Sequence, residues 1–329
     1  MTGVISKACV KTGLVFVILS LIIVVLLFSG CAGLAASAQE YYSIGMAYYG
    51  LGKYEEAEIW LNRARLADRT MTASQYNLGR IAYETQKYEE AAKHFESILK
   101  KDPDNILALR AAAFTRIKMG DLEKAEKHYG KLMALVPESA DDGYNHALVL
   151  FAMERYDKAQ EVMDKYPFSL QDNNELILLY ARTLSAQNKI EAIDNYARWL
   201  AANSDKKIRF EYAQLLEKHE LYARALEEYR AILSDSFTAD DETKKSFVRF
   251  ALARLLLIAD SSSGEGVTEM ETAVSEGYDN IEEVEKLQKN TKVSAVNRDK
   301  LRTIVNNMQR ALEAKEAAEK AAEKTEKGK

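Results

Sequence analysis

The sequence repeats itself every 34 residues, and that period constrains the fold more than any other feature. Gly45, Gly79, Ala113, Ala147 and Ala181 stand 34 residues apart at every step. Ala57, Ala91, Ala125 and Ala159 keep the step, as do Tyr54, Tyr88, Leu122 and Tyr156. Leu61, Phe95, Tyr129 and Met163 follow in phase, and Pro103 and Pro137 close two units. A period of this length marks a unit that cannot bury its own apolar face and stacks on copies of itself. Only three prolines and 15 glycines interrupt the 329 residues. No segment alternates apolar and polar residues as a half-buried strand would, so the units are expected to be helical.

The second unit, Thr72 to Asn105, reads Leu78-Gly79, Tyr83, Tyr88, Ala91, Phe95 and Pro103. This pattern resembles the tetratricopeptide repeat, with Ile98 standing where alanine is usual. The resemblance implies an all-α, right-handed superhelical solenoid of helix-turn-helix pairs. Small residues would let the two helix backbones approach, and aromatics would fill the space between one pair and the next. A proline would stop the second helix, since it lacks an N–H and clashes with the preceding turn. Gly52 and Gly120 would supply the turn between helices. The pattern decays along the chain. The fourth unit closes at Pro167, 30 residues after Pro137, and the fifth keeps Ala181 but has Ile193 for alanine. The sixth recovers Ala213, Tyr222, Ala225 and Tyr229, and a seventh pair spans 240–278 with a loop at 261–266. Residues 38–278 thus hold four clear and about three degenerate repeats. Capping helices are expected over 279–312, near Ile281–Gln288 and from about Asn297, with a stripe of Leu301, Ile304, Val305, Met308 and Leu312. Residues 313–329 hold five glutamates and five lysines and read as a solvated helical tail.

The first 30 residues read as an export signal. Lys7 and Lys11 precede the uncharged apolar run Gly13–Phe28, and no further charge appears before Glu40. Sixteen helical residues would span about 24 Å, short of the roughly 30 Å hydrocarbon core. The run ends in Leu27-Phe28-Ser29-Gly30-Cys31, which resembles a bacterial lipobox, although Phe28 departs from its usual leucine. The resemblance implies lipidation of Cys31 with acyl chains such as palmitate, cleavage before it, and a lipidated linker over 31–37. An uncleaved membrane anchor is the other reading. Both place the folded part outside the cytoplasm, on the periplasmic or exterior side of the envelope. No cysteine follows Cys31, so the folded part has no disulfide.

The chain carries a formal charge of −5, and its part beyond residue 30 carries −7. That acidity argues against nucleic acid as a partner, which would require a basic stripe. There is no phosphate loop, no G-x-S-x-G elbow and no H-E-x-x-H, so catalysis, metal and cofactor are not expected. His94 and His128 share a phase one repeat apart and read as recurring half-exposed residues rather than ligands. The repeat family lines a groove with its first helices. Carried over, this assigns a partner-binding groove to Tyr42, Tyr49, Tyr76, Arg80, Tyr83, Arg110, Phe114, Tyr144, Phe151 and Arg182. Aromatics and arginine are the types enriched in binding hot spots. The lysine and asparagine set with which some family members clamp a peptide carboxylate is missing. The expected function is an envelope-anchored protein-interaction scaffold whose partner is periplasmic or membrane-bound. The alternative is a small-molecule or lipid-binding component of an envelope transport system. A filled groove, or packing of these side chains against neighbouring repeats, is the competing structural reading.

Overall fold

The 34-residue period becomes pairs of antiparallel helices in the computed structural model. It describes residues 37–167, 173–239, 241–260 and 264–326, with side chains described to residue 320. The export signal, Cys31 and most of the linker lie outside the described residues. The chain divides into two compact units, with the division after Met153.

The first unit holds α1 (Ala38–Gly50), α2 (Tyr54–Ala67), α3 (Thr72–Glu84), α4 (Tyr88–Leu99), α5 (Ile106–Lys118), α6 (Leu122–Leu135) and α7 (Ala140–Ala152). The second holds α8 (Tyr156–Met163), α9 (Asn174–Ala186), α10 (Ala192–Ala202), α11 (Lys206–Lys218), α12 (Tyr222–Ser234), α13 (Lys245–Ala259) and α14 (Glu265–Ser275). It ends with α15 (Ile281–Lys289) and α16 (Ala295–Glu326). The described residues form no strand.

Close packing explains the small residues. A Cβ on Gly79 would stand 2.6 Å from Phe95, and one on Gly45 would stand 2.8 Å from Leu61. Ala57, Ala91, Ala125, Ala159 and Ala225 are fully buried, each in the second helix of a pair. Leu61, Phe95, Tyr129, Met163 and Tyr229 fill the adjoining space and are also buried.

The turn within each pair follows one rule. Gly52, Gln86, Gly120, Glu154 and Asn188 all have positive φ, and Glu220 does too. At Gly52 the chain reverses through Lys53 N–H to Tyr48 C=O at 3.0 Å and Gly52 N–H to Tyr49 C=O at 2.9 Å. The same two bonds recur around Gln86, Gly120, Asn188 and Glu220. These bonds satisfy carbonyls that the ending helix leaves open.

The C-terminal helix caps the second unit only in part. Leu301, Ile304, Val305 and Met308 are buried with Leu287, Val284 and Tyr278. Leu312, expected in the same stripe, is 49% exposed. The helix runs past the last residue it can pack against, and its described side chains beyond Met308 are exposed.

Candidate functional site

The first helix of each pair bears the residues assigned to the groove. In the first unit, α1 presents Tyr42 and Tyr49, α3 presents Tyr76, Arg80 and Tyr83, α5 presents Arg110 and Phe114, and α7 presents Tyr144 and Phe151. Arg182 lies on α9 in the second unit.

Five of these ten side chains, Tyr42, Tyr49, Arg80, Arg110 and Arg182, bond across to the neighbouring repeat, and Tyr76, Tyr83 and Phe114 stack within their own. Arg80 donates from Nη2 to the Tyr49 hydroxyl at 2.9 Å, and its guanidinium carbon lies 4.6 Å from the Tyr49 ring centroid. Its Nη1 donates to Asn77 Oδ1 at 3.1 Å, while Asn77 Nδ2 donates to the Tyr42 hydroxyl, also at 3.1 Å. A small polar seam therefore joins the first two repeats. Burial raises the pKa of Tyr49 above its ordinary value, with Arg80 opposing. Tyr76 packs against Phe95 at 5.7 Å between centroids, and Tyr83 meets Tyr88 edge-on at 5.5 Å.

The two other arginines assigned to the groove meet acidic side chains of their own chain. Arg110 Nε and Nη2 donate to the Asp142 carboxylate at 2.8 and 2.6 Å. The Asp142 side chain is 4% exposed. Burial works against its charge, yet hydrogen bonds from Arg110 and Ser139 hold its carboxyl below the ordinary value. Arg182 makes the same fork to Glu211, at 2.9 and 2.8 Å. Each arginine is thus spent inside the chain, tying one helix pair to the next. Sequence reading missed Asp142 and Glu211. They lie 32 and 29 residues after their arginines, off the 34-residue phase.

Three large apolar side chains also stay open on the first helices. Phe114 is 43% exposed, Leu148 at the same phase is 41% exposed, and Leu107, two turns before Phe114, is 58% exposed. Phe114 meets Tyr129 edge-on at 6.2 Å, which fixes one side of its ring and leaves the other free. Leu107 was not assigned to the groove. Its place seven residues before Phe114 on one helical face was the available signal. Tyr144 and Phe151 are half-buried on the next first helix.

His94 and His128 do not converge. The His94 ring shares a 2.6 Å hydrogen bond with Gln75, and His128 Nε2 lies 3.3 Å from Glu96. Burial lowers the pKa of both, with nearby carboxylates opposing. Among the described residues no three histidine, cysteine or acidic side chains gather as a metal site. Among them, too, no helix is long and apolar enough to cross a membrane.

Comparison with known proteins matches the same repeats. Two tetratricopeptide-repeat models match residues 42–106 and 82–142. A model described as anaphase-promoting complex, cyclosome, subunit 3 matches residues 118–199. The chain is 26% identical over 147 residues, 44% of its length, to the mouse N-alpha-acetyltransferase 16, NatA auxiliary subunit, of which that covers 17%. It is 32% identical over 114 residues, 34% of its length, to Hsp70-Hsp90 organizing protein 3 of Arabidopsis thaliana, of which that covers 20%. It thus spans about a fifth or less of these relatives. An uncharacterized lipoprotein of Treponema pallidum is 23% identical over 142 residues, 43% of this chain and 72% of that protein. Among solved structures, a tetratricopeptide repeat protein from Parabacteroides merdae aligns with 77% of this chain and 97% of its own, at TM-score 0.52 and 21% identity. The chain therefore carries tetratricopeptide repeats in an all-helical stack, a fold that generally serves as a protein-interaction scaffold without catalysis of its own.

Proposed function

We propose that the chain is an envelope-anchored scaffold that holds a periplasmic or membrane protein against the first helices of its first unit. The observation that carries this reading is the partial exposure of Phe114, Leu148 and Leu107 on two first helices of the first unit. Aromatic and aliphatic side chains open on a rigid helical wall suit a partner's apolar segment. The arginines contribute stack integrity instead, so the partner need not be acidic. The similarity of part of the chain to an Hsp70-Hsp90 organizing protein supports protein binding as the class of function. The apolar run ending at Cys31 and the similarity to a treponemal lipoprotein support anchoring in the envelope.

The small-molecule alternative finds less support. A recess of about 480 Å³ in the second unit mixes the apolar Tyr222, Leu255 and Ile258 with the charged Glu217, Lys218, Arg254 and Lys292, so it is not an apolar enclosure. Crosslinking in intact envelopes followed by purification tests the proposal. A stoichiometric protein that is captured by the wild type and lost in the Phe114→Ala, Leu148→Ala pair supports it. A co-purified lipid or metabolite in place of a protein overturns it. Anchoring is tested separately. Cys31→Ala is expected to abolish incorporation of a fatty-acid analogue and leave a longer precursor, and unchanged labelling overturns the lipid anchor.

A further inference from the structure

The first repeat departs from its neighbours on the outer face of α2. Where the next two repeats carry Lys93 and Lys127, it carries Ile59, and where the second carries Lys100, it carries Leu66. Ile59 is 53% exposed and Leu66 64%. Arg63 lies on the same face, four residues after Ile59 and three before Leu66, and its guanidinium carbon stands 4.4 Å from the Trp60 ring centroid. Trp60 in turn meets Tyr41 of α1 at 5.8 Å between centroids. The acids of α2, Glu55, Glu56 and Glu58, are confined to its first half, and the exposed Arg63 and Arg69 follow. A terminal repeat ordinarily presents a polar outer face. This one presents tryptophan, tyrosine, isoleucine and leucine around an arginine.

We propose that this face docks on the surface of the lipid bilayer, an inference that rests on the reading that the chain is anchored at Cys31. Six residues separate Cys31 from Ala38, where α1 begins. That linker reaches at most about 25 Å, so the first repeat is held beside the headgroups wherever the rest of the chain lies. Tryptophan and tyrosine settle at the headgroup level because one end of each ring is apolar and the other polar. Arg63, whose guanidinium lies over the Trp60 ring, is placed to donate to lipid phosphates beside that ring. Ile59 and Leu66 enter the acyl boundary, as the apolar face of an interfacial helix does. The contact adds a second, orienting attachment to the covalent one.

The chain contains two tryptophans, so Trp199→Phe leaves Trp60 as the sole reporter. The full-length variant, extracted from membranes, is reconstituted into vesicles of phosphatidylcholine and phosphatidylglycerol, with plain or brominated acyl chains. Trp60 emission is expected to fall by about twofold in the brominated vesicles, as for a ring at the interface. Ile59→Lys with Leu66→Lys, which restores the lysines of the following repeats, is expected to abolish the quenching while circular dichroism stays unchanged. Protein that floats with the vesicles but shows no quenching overturns the docking and leaves the anchor standing. Protein that fails to float overturns both. A doubling of mass in detergent that the two lysines reverse overturns the bilayer as occupant in favour of a second copy.

Discussion

Arg110 grips Asp142 with two nitrogens of one guanidinium edge, Nε and Nη2, the latter 2.6 Å from Oδ2, and so fastens α5 to α7. Because the Asp142 side chain is 4% exposed, removing the arginine leaves a carboxylate with little water to replace it. Arg110→Ala is therefore expected to destabilise the first unit by about 1–3 kcal/mol, below the full value of a buried pair because Arg110 itself is partly solvated. Replacing the pair together, Arg110→Met with Asp142→Leu, is expected to recover most of that loss in thermal melts. If Arg110→Ala melts like the wild type, the fork is not structural.

The same pair sets a pH dependence. The folded carboxyl of Asp142 titrates below its ordinary value of 3.8. Its contribution is present in full above the unfolded value and is lost as pH falls through the folded one. Melting temperature is thus expected to drop below about pH 4 more steeply in the wild type than in the Arg110→Met, Asp142→Leu protein. Parallel curves would contradict this.

Gly79 and Gly50 make an internal contrast. A methyl at Gly79 would stand 2.6 Å from Phe95, whereas one at Gly50 meets nothing within 4 Å. Gly79→Ala is expected to cost about 1–3 kcal/mol through overpacking. Gly50→Ala, at the end of α1, is expected to be neutral or stabilising by up to about 1 kcal/mol. Chemical denaturation of the two variants reads both, and equal midpoints would mean that the helices separate more freely than the packing implies.

The C-terminal helix is expected to matter only as far as it is buried. Leu301 is fully buried, so Leu301→Ala should destabilise the second unit by about 2–5 kcal/mol. Deleting residues 313–329 should leave its unfolding midpoint unchanged. A large loss on deletion would give the tail a packing partner of its own.

The parts of this fold that sequence reveals are those that one repeat settles locally. Gly79 against Phe95 and Ala91 in the same helix recur because every pair faces the same steric demand. The destinations of long side chains are different. Arg80, Arg110 and Arg182 share a helical face, yet one bonds a tyrosine of the repeat before and two bond acids of the repeat after. Which way such a side chain turns depends on the rotamers and neighbours of the adjoining repeat, and the periodic pattern does not encode them. The row of first helices was legible in the repeat period. That Phe114, Leu148 and Leu107 stay exposed on those helices emerges only from the structure, once the arginines are seen to be occupied.

The turn angle keeps the same period as the small core residues, whatever residue occupies the turn. Gly52, Gln86, Gly120, Glu154 and Asn188 are left-handed at an unbroken step of 34 residues, though only two of the five are glycine. The backbone has kept its metre where the consensus lettering has been overwritten. Gln86, Glu154 and Asn188 hold that conformation against their own side chains, so each is a place where the chain retains strain that a glycine would release. At these turns the torsion angle, rather than the residue type, is what every repeat holds in common.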